Sequence, residues 1–243
     1  MIEVHFHCLP GLDDGPETWD ESIALCRAAA AEGTKQIVAT THVLRDRWIN
    51  DDAALRNELL GQLNRLLGGT PEILPGCEYW FGSDMLELLE VGASGPLTCL
   101  NGSRYLLVEF APDYVPQNAE ATLYEVVLMG VTPVIAHPER NRVFGSEPQK
   151  LSRLVEMGAV VQVTAGSIAG EFGKWSKDVV EEFFRAGLVH AVASDAHDVT
   201  HRPPRLTRAR EIVRKQWGAE AEEGLFEANP RAIVANLELP WRA

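Results

Sequence analysis

Histidines and carboxylates recur along this chain at the ends of apolar runs. His5 and His7 stand two apart, a spacing that points both side chains to one face of a strand. His42 follows the next apolar run, Glu78 closes another, and Glu109 lies near the end of a fourth. His137 directly follows a fifth run, and Asp195 and His197 follow the last. A lone histidine after a strand is more often a satisfied polar residue than a ligand. A lone His-x-His or Asp-x-His is equally weak. Here five of the seven histidines share one placement, with three acids beside apolar runs. Burying those charges is costly unless a cation offsets them, so the set reads as a metal site. Imidazole and carboxylate donors without a thiolate cluster suit manganese, iron or zinc and fit magnesium or calcium poorly. The donors exceed what one ion needs, which implies about two or three ions bridged by carboxylates. Such clusters stabilise attacking and leaving oxygens at phosphorus, so the chemistry expected is phosphoester hydrolysis.

The loop Pro10-Gly11-Leu12-Asp13-Asp14-Gly15-Pro16 reads equally as a turn and as the source of another carboxylate ligand. Arg140 follows His137, and Arg202 follows His197. Most arginines are surface residues, but guanidinium beside metals can grip phosphate through two oxygens. Arg142 is a weaker version of Arg140. A cysteine nucleophile is not expected. Cys99 is followed by Arg104, one position short of the spacing in a cysteine-phosphatase loop, and Cys8 and Cys77 have no suitably placed arginine.

These residues need a scaffold that brings distant positions together. Strand-like runs at 2–7, 36–40, 72–78, 104–110, 131–136, 159–163 and 189–193 alternate with helical patterns at 18–32, 52–67, 83–89, 117–129, 148–157 and 174–186. Helical segments fill 205–215 and 219–227. Thr18 with Glu21 forms a capping box, Ser83 is the expected cap of the third helix, and Gly33 and Gly68-Gly69 are stop signals. About seven strand–helix units imply parallel pairing through right-handed crossovers, and favour a barrel over a doubly wound sheet. In a parallel barrel all strand C-termini share one rim, where active sites lie. With no linker or repeat in view, residues 1–243 are expected to form a single domain.

Apolar residues make up 46% and charged residues 23% of the 243 positions, an ordinary globular balance. A net charge of −13 argues against nonspecific attraction to nucleic acid or an anionic membrane. No run approaches the roughly 20 apolar residues of a membrane span. The opening Met1-Ile2-Glu3-Val4-His5 has no secretory character. Four dispersed cysteines without a CxxC pair suit a reducing, cytoplasmic setting.

At these residues the chain resembles the polymerase-and-histidinol-phosphatase (PHP) superfamily. Within it, the chain is similar to bacterial capsule-regulating, manganese-dependent tyrosine-protein phosphatases. The resemblance is carried by His5-Phe6-His7, Leu9 to Pro16, Tyr105 to Phe110, Ala136-His137-Pro138-Glu139-Arg140, Gln162 to Ser167, Ala193 to His197 and Asn229-Pro230-Arg231. It implies a distorted (β/α)7 barrel of the PHP type and a trinuclear manganese site. By that analogy His5, His7, Glu78 and Asp195 hold one ion, Glu78, Glu109 and His137 a second, and Asp14, His42 and His197 a third. His42, Arg140 and Arg202 are assigned to catalysis, the two arginines as phosphate ligands. The implied partner is a tyrosine-phosphorylated autokinase of polysaccharide export. Glu3 replaces the Asp common ahead of His-x-His, outside the metal set. Thr41-His42-Val43 departs from the usual Pro before the histidine, so residues 43–51, with Arg45, Arg47 and Trp48, are expected to shape a different substrate entrance.

The expected mechanism is in-line attack by a metal-activated hydroxide, without a covalent cysteine intermediate. A histidinol-phosphate-type small-molecule phosphatase and a non-enzymatic binder of phosphotyrosine tails are the competing readings. A nuclease is disfavoured by the acidic charge. Oligomeric state stays open.

Overall fold

The computed structural model describes residues 1–92 and 95–242. The apolar runs form nine strands: β1 (Ile2–Phe6), β2 (Gln36–Ala39), β3 (His42–Val43), β4 (Glu72–Pro75), β5 (Glu78–Trp80), β6 (Tyr105–Glu109), β7 (Thr132–Ala136), β8 (Val160–Thr164) and β9 (Ala191–Ala193). Every ladder is parallel. Two sheets result, one ordered β1-β2-β4 and the other β3-β5-β6-β7-β8-β9.

The expected strand over 72–78 is in fact two, in different sheets. Glu78 opens β5 rather than closing β4. The chain crosses between the sheets at Thr40-Thr41 and at Gly76-Cys77. Thr40 N donates to Phe6 O at 2.9 Å, and Glu78 N donates to Thr41 O at 3.1 Å, so hydrogen bonding carries across the break. Gly76 is required there, because a Cβ would lie 2.5 Å from Val38 Cγ1. Counting β2 with β3 and β4 with β5 as broken strands, the nine strands fill the seven positions of a distorted (β/α)7 barrel. The ring is not a continuous ladder. Near its C-terminal end β1 meets the turn after β9 through an isolated Phe6–Ala196 bridge, with His7 N donating to Ala196 O at 3.0 Å.

Alternate residues of the central strands serve two cores, as expected when both faces are buried. Leu107, Val134 and Ala191 pack inward with Val4 and Val38. Leu106, Val108, Ile135 and Val161 pack outward against Leu123, Val126, Leu154 and Phe183 of the surrounding helices.

Local signals set several helix ends. Thr18 Oγ1 accepts from Glu21 N at 3.3 Å while Glu21 Oε2 accepts from Thr18 N at 3.0 Å, completing the capping box of Trp19–Ala31. Such a cap contributes about 1 kcal/mol. Asp52 caps Ala53–Leu67, which ends at Gly68 in the left-handed region. Ser83 does not cap the next helix. That helix runs Met85–Glu90 from Asp84, whose carboxylate instead accepts from the Tyr79 hydroxyl at 3.1 Å. The helix expected over 205–215 is Thr207–Trp217, displaced past Pro203-Pro204. Short helices at Arg142–Ser146, Ala165–Ala169 and Asn229–Val234 were not anticipated.

Candidate metal and phosphate site

Each ligand candidate reaches one rim by a backbone device. His5 lies in β1 and His7 directly after it, His42 opens β3, Glu78 opens β5 and Glu109 ends β6. His137 and Asp195 leave β7 and β9 with φ of 32° and 54°. Such left-handed turns are uncommon for residues other than glycine, though His and Asp adopt them more readily than most, and they tend to cluster at functional sites.

The side chains converge. His5 Nε2 lies 3.3 Å from Glu78 Oε2, 3.2 Å from Asp195 Oδ1 and 3.3 Å from His7 Nε2. His137 Nε2 lies 3.1 Å from Glu78 Oε1 and 3.7 Å from Glu109 Oε1. Asp14 Oδ1 is 3.1 Å from His197 Nε2 and 3.3 Å from His42 Nε2. Among the described residues, four clusters have ligand atoms close enough to share an ion: His7, Asp14, His42 and His197; His5, His137 and Asp195; His5, His7 and Glu78; and His42, Glu78 and Glu109. All nine residues expected as ligands belong to at least one cluster. The grouping differs in detail from the expected one, since His7 joins the third group and His42 reaches Glu109.

Neighbours set the histidine tautomers. The Gln162 amide Nε2 donates to Val163 O at 2.8 Å, so its Oε1 accepts from His5 Nδ1, also at 2.8 Å. His7 Nδ1 donates to Asp13 Oδ2 at 2.8 Å, and His197 Nδ1 donates to Asp195 O at 3.0 Å. Each bond leaves Nε2 with its lone pair facing the carboxylates, the arrangement that metal-ligating histidines adopt. Asp13 and Gln162 were not assigned these roles from sequence. Asp13 lies six residues after His7, in the loop that the sequence marks as a possible source of a carboxylate ligand.

The carboxylates fit cations. Glu78 Oε2 and Glu109 Oε2 are buried and make no well-aligned hydrogen bond among the described residues, although His42 Nδ1 lies 2.9 Å from the first and Arg45 Nη1 3.0 Å from the second. Carboxylate oxygens buried side by side are costly unless cations meet them. Burial opposes ionisation of Glu78, but His5 and His42 hold its carboxyl well below the usual range. Asp195 is likewise held well below its usual range against burial, by His5 and Arg202. Burial, with Glu78 alongside, pushes Glu109 up to about 8. Burial also pushes His137 and His197 down to about 4, which leaves them neutral as ligands must be.

Arg140 Nη1 donates to Asp195 Oδ2 at 2.7 Å, and Arg202 Nη2 contacts the same oxygen. The two arginines expected to bind phosphate therefore meet beside the candidate metal ligands. They are 32% and 25% exposed, which puts them at its mouth. A third guanidinium, that of Arg45, enters between His42 and Glu109. The cavity beside this set measures about 160 Å³ and includes Arg45, Glu109, His137 and Arg140 in its wall.

A family model described as capsular polysaccharide synthesis, CpsB/CapC, matches residues 1–235. This chain belongs to the CpsB/CapC family. The chain is similar to the tyrosine-protein phosphatase YwqE of Bacillus subtilis, 41% identical over 100% of this chain and 92% of the relative. The tyrosine-protein phosphatase CpsB of Streptococcus pneumoniae is 31% identical over 96% of this chain and 98% of the relative. A crystal structure from work on YwqE and CpsB, described there as unique metal-dependent tyrosine phosphatases, superposes with a TM-score of 0.93. That match has 39% identity and covers 100% of this chain and 97% of the other. The CpsB/CapC fold and the arrangement of strands described above are thus shared across the whole molecule.

Proposed function

We propose that this chain is a metal-dependent protein-tyrosine phosphatase acting on a phosphorylated autokinase of polysaccharide synthesis or export, in the cytoplasm. The observation that carries this reading is the convergence of nine histidine and carboxylate ligands with Arg140 and Arg202 on one rim. Manganese is the proposed metal, in two or three sites, with iron or zinc fitting the same donors. His5, His7, Glu78 and Asp195 would hold one ion, Glu78, Glu109 and His137 a second, and Asp14, His42 and His197 a third. Bound ions would acidify a coordinated water and offset charge on the phosphoryl oxygens.

The chain's own residues supply the rest. Asp13 and Gln162 fix the ligand histidines. Arg140 and Arg202, now spent on Asp195, are free to turn their remaining N–H groups to phosphoryl oxygens. A phenolate leaving group has a pKa near 10, so it departs with less protonation than an alkoxide. The cavity of about 160 Å³ falls below the roughly 300–1,000 Å³ of pockets that enclose whole small ligands. It has room for a phosphoryl group whose bearer stays outside. The four cysteines are free thiols, in keeping with a reducing compartment. No helix among the described residues is long and apolar enough to cross a membrane.

The test is phosphate release from a phosphotyrosine peptide and from histidinol phosphate, by protein stripped of metal and reloaded with Mn²⁺. Mn²⁺-dependent preference for the peptide is expected. Preference for histidinol phosphate would move the same chemistry to a small-molecule substrate and overturn the protein-phosphatase reading.

A further inference from the structure

Residues 44–49 form a tight hairpin beside the site. Leu44 N donates to Ile49 O at 2.9 Å, Arg45 N to Trp48 O at 3.1 Å, and Trp48 N to Arg45 O at 2.8 Å. The hairpin is tied down at its base. Asn50 Nδ2 donates to His42 O at 2.8 Å and to Leu12 O at 2.9 Å, while the buried Arg56 donates to Asn50 O. These bonds turn Arg45 back toward the metal cluster.

The Arg45 guanidinium rests on aromatic rings, its carbon 4.9 Å from the Trp80 ring centroid and 5.7 Å from that of Trp48. Arg140 is carried the same way, 4.9 Å over Phe172. Stacking keeps a planar guanidinium oriented while its N–H edge stays available. Both arginines line the cavity of about 160 Å³. Arg45 is 21% exposed there, close to the 25% of Arg202. The Nε atoms of Arg45 and Arg202 share a further property: each is buried with no hydrogen-bond partner among the described residues. A buried donor without an acceptor is costly and calls for a ligand atom. The acceptors Arg45 does meet, His42 Nε2 at 2.5 Å and Glu109 Oε2 at 3.0 Å, are groups a cation would also claim.

We propose that Arg45 is a third phosphate-binding residue, gripping an oxyanion in the cavity together with Arg140, beside which Arg202 meets the same oxygen of Asp195. The proposal rests on the phosphomonoesterase reading above but not on the identity of the phosphate's bearer. Glu109 and His42 would hold a cation in place of the Arg45 guanidinium, which would then be released from them. The aromatic shelf lets it shift its N–H edge to the phosphate while keeping its place. Three guanidiniums then offset the charge of a bound dianion.

The test is isothermal titration of metal-loaded protein with inorganic phosphate, with metal content measured by mass spectrometry. Arg45→Met is expected to raise the phosphate Kd about tenfold at unchanged metal content, and Arg45→Lys by less, since lysine keeps the charge but loses the fork. An unchanged phosphate Kd in Arg45→Met overturns the proposal. So does lost metal with phosphate affinity recovered at saturating Mn²⁺, because Arg45 would then only prop Glu109. Wild-type preference for histidinol phosphate over phosphotyrosine peptide would sink the tyrosine reading alone, and the Arg45 comparison would still decide this one.

Discussion

Nδ1 of His7 lies 2.8 Å from Oδ2 of Asp13, and the same oxygen accepts the His42 backbone N–H at 3.0 Å. One carboxylate thus sets the tautomer of one candidate ligand and the position of another. Asp13 is itself held below its usual pKa, against burial, by His7. Asp13→Asn can no longer accept from both groups in the same way. Its affinity for Mn²⁺ is expected to drop roughly 10- to 100-fold, in line with losses of such orienting partners. Titration of the stripped protein checks this, and unchanged affinity would show that Asp13 does not govern the histidine.

Arg140 and Arg202 both hold Asp195 Oδ2. Arg140→Met is expected to lower kcat/KM for a phosphotyrosine peptide about 10²-fold while metal content holds, the scale seen when one donor to a charged transition state is removed. A parallel fall in metal content would mean that Arg140 serves Asp195 rather than substrate.

Thiol chemistry should be irrelevant to turnover. Cys8, Cys26 and Cys77 are buried, and burial pushes the Cys77 thiol upward and that of Cys99 up to about 12. A hydrogen bond with Cys26, with burial added, raises Cys8 well above its usual value. Thiolates are the reactive form, so iodoacetamide is expected to leave activity intact, whereas a chelator abolishes it and Mn²⁺ restores it. Stoichiometric inactivation by the alkylating agent would refute the metal mechanism.

His190 lies away from the ligands and gives a pH signature of its own. Its ring is buried, its Nδ1 accepts from Val161 N at 3.2 Å, and burial, with Arg242 adding to it, pushes its pKa down to about 4. The unfolded chain, with a histidine pKa near 6.5, takes up the proton first. The contribution is therefore complete above about pH 6.5 and is lost as pH falls toward 4, on the order of 3 kcal/mol over the whole window. Urea midpoints of metal-free wild type and His190→Asn should diverge between these limits, the variant being less sensitive to acid. Equal acid sensitivity would contradict the assignment.

The convergence of the candidate ligands was legible from sequence because parallel strands deliver residues such as Glu109, His137 and Asp195 to one rim wherever the apolar runs end. The helix Trp19–Ala31 was legible because Thr18 and Glu21 cap it within four residues of chain. What escaped detection depends on distant partners. The split of 72–78 falls at Gly76, where a Cβ would collide with Val38 of a distant strand, so the reason for glycine there lies outside the local sequence. Asp84 rather than Ser83 precedes Met85–Glu90, with its carboxylate taken up by Tyr79 from another element. Gln162 sits 157 positions from His5, so its hold on that ring leaves no local pattern. Arg45 reads as an ordinary loop cation until Trp80 and Glu109 are seen beside it.

The break between the two sheets has a mechanical consequence. His5 and His7 come from the strand of the smaller sheet, and Glu78, Glu109 and His137 from the larger. Backbone bonds flank this seam, Thr40 to Phe6 on the smaller sheet and Glu78 to Thr41 on the larger, and His7 to Ala196 ties the two sheets together. An ion shared by His7 and Glu78 would act as a keystone, bracing two halves of the ring against each other. Emptied of metal, the molecule should breathe along that line. The Thr40 and Glu78 amides should then exchange with solvent sooner than those in the middle of β7, and reloading should quiet them together.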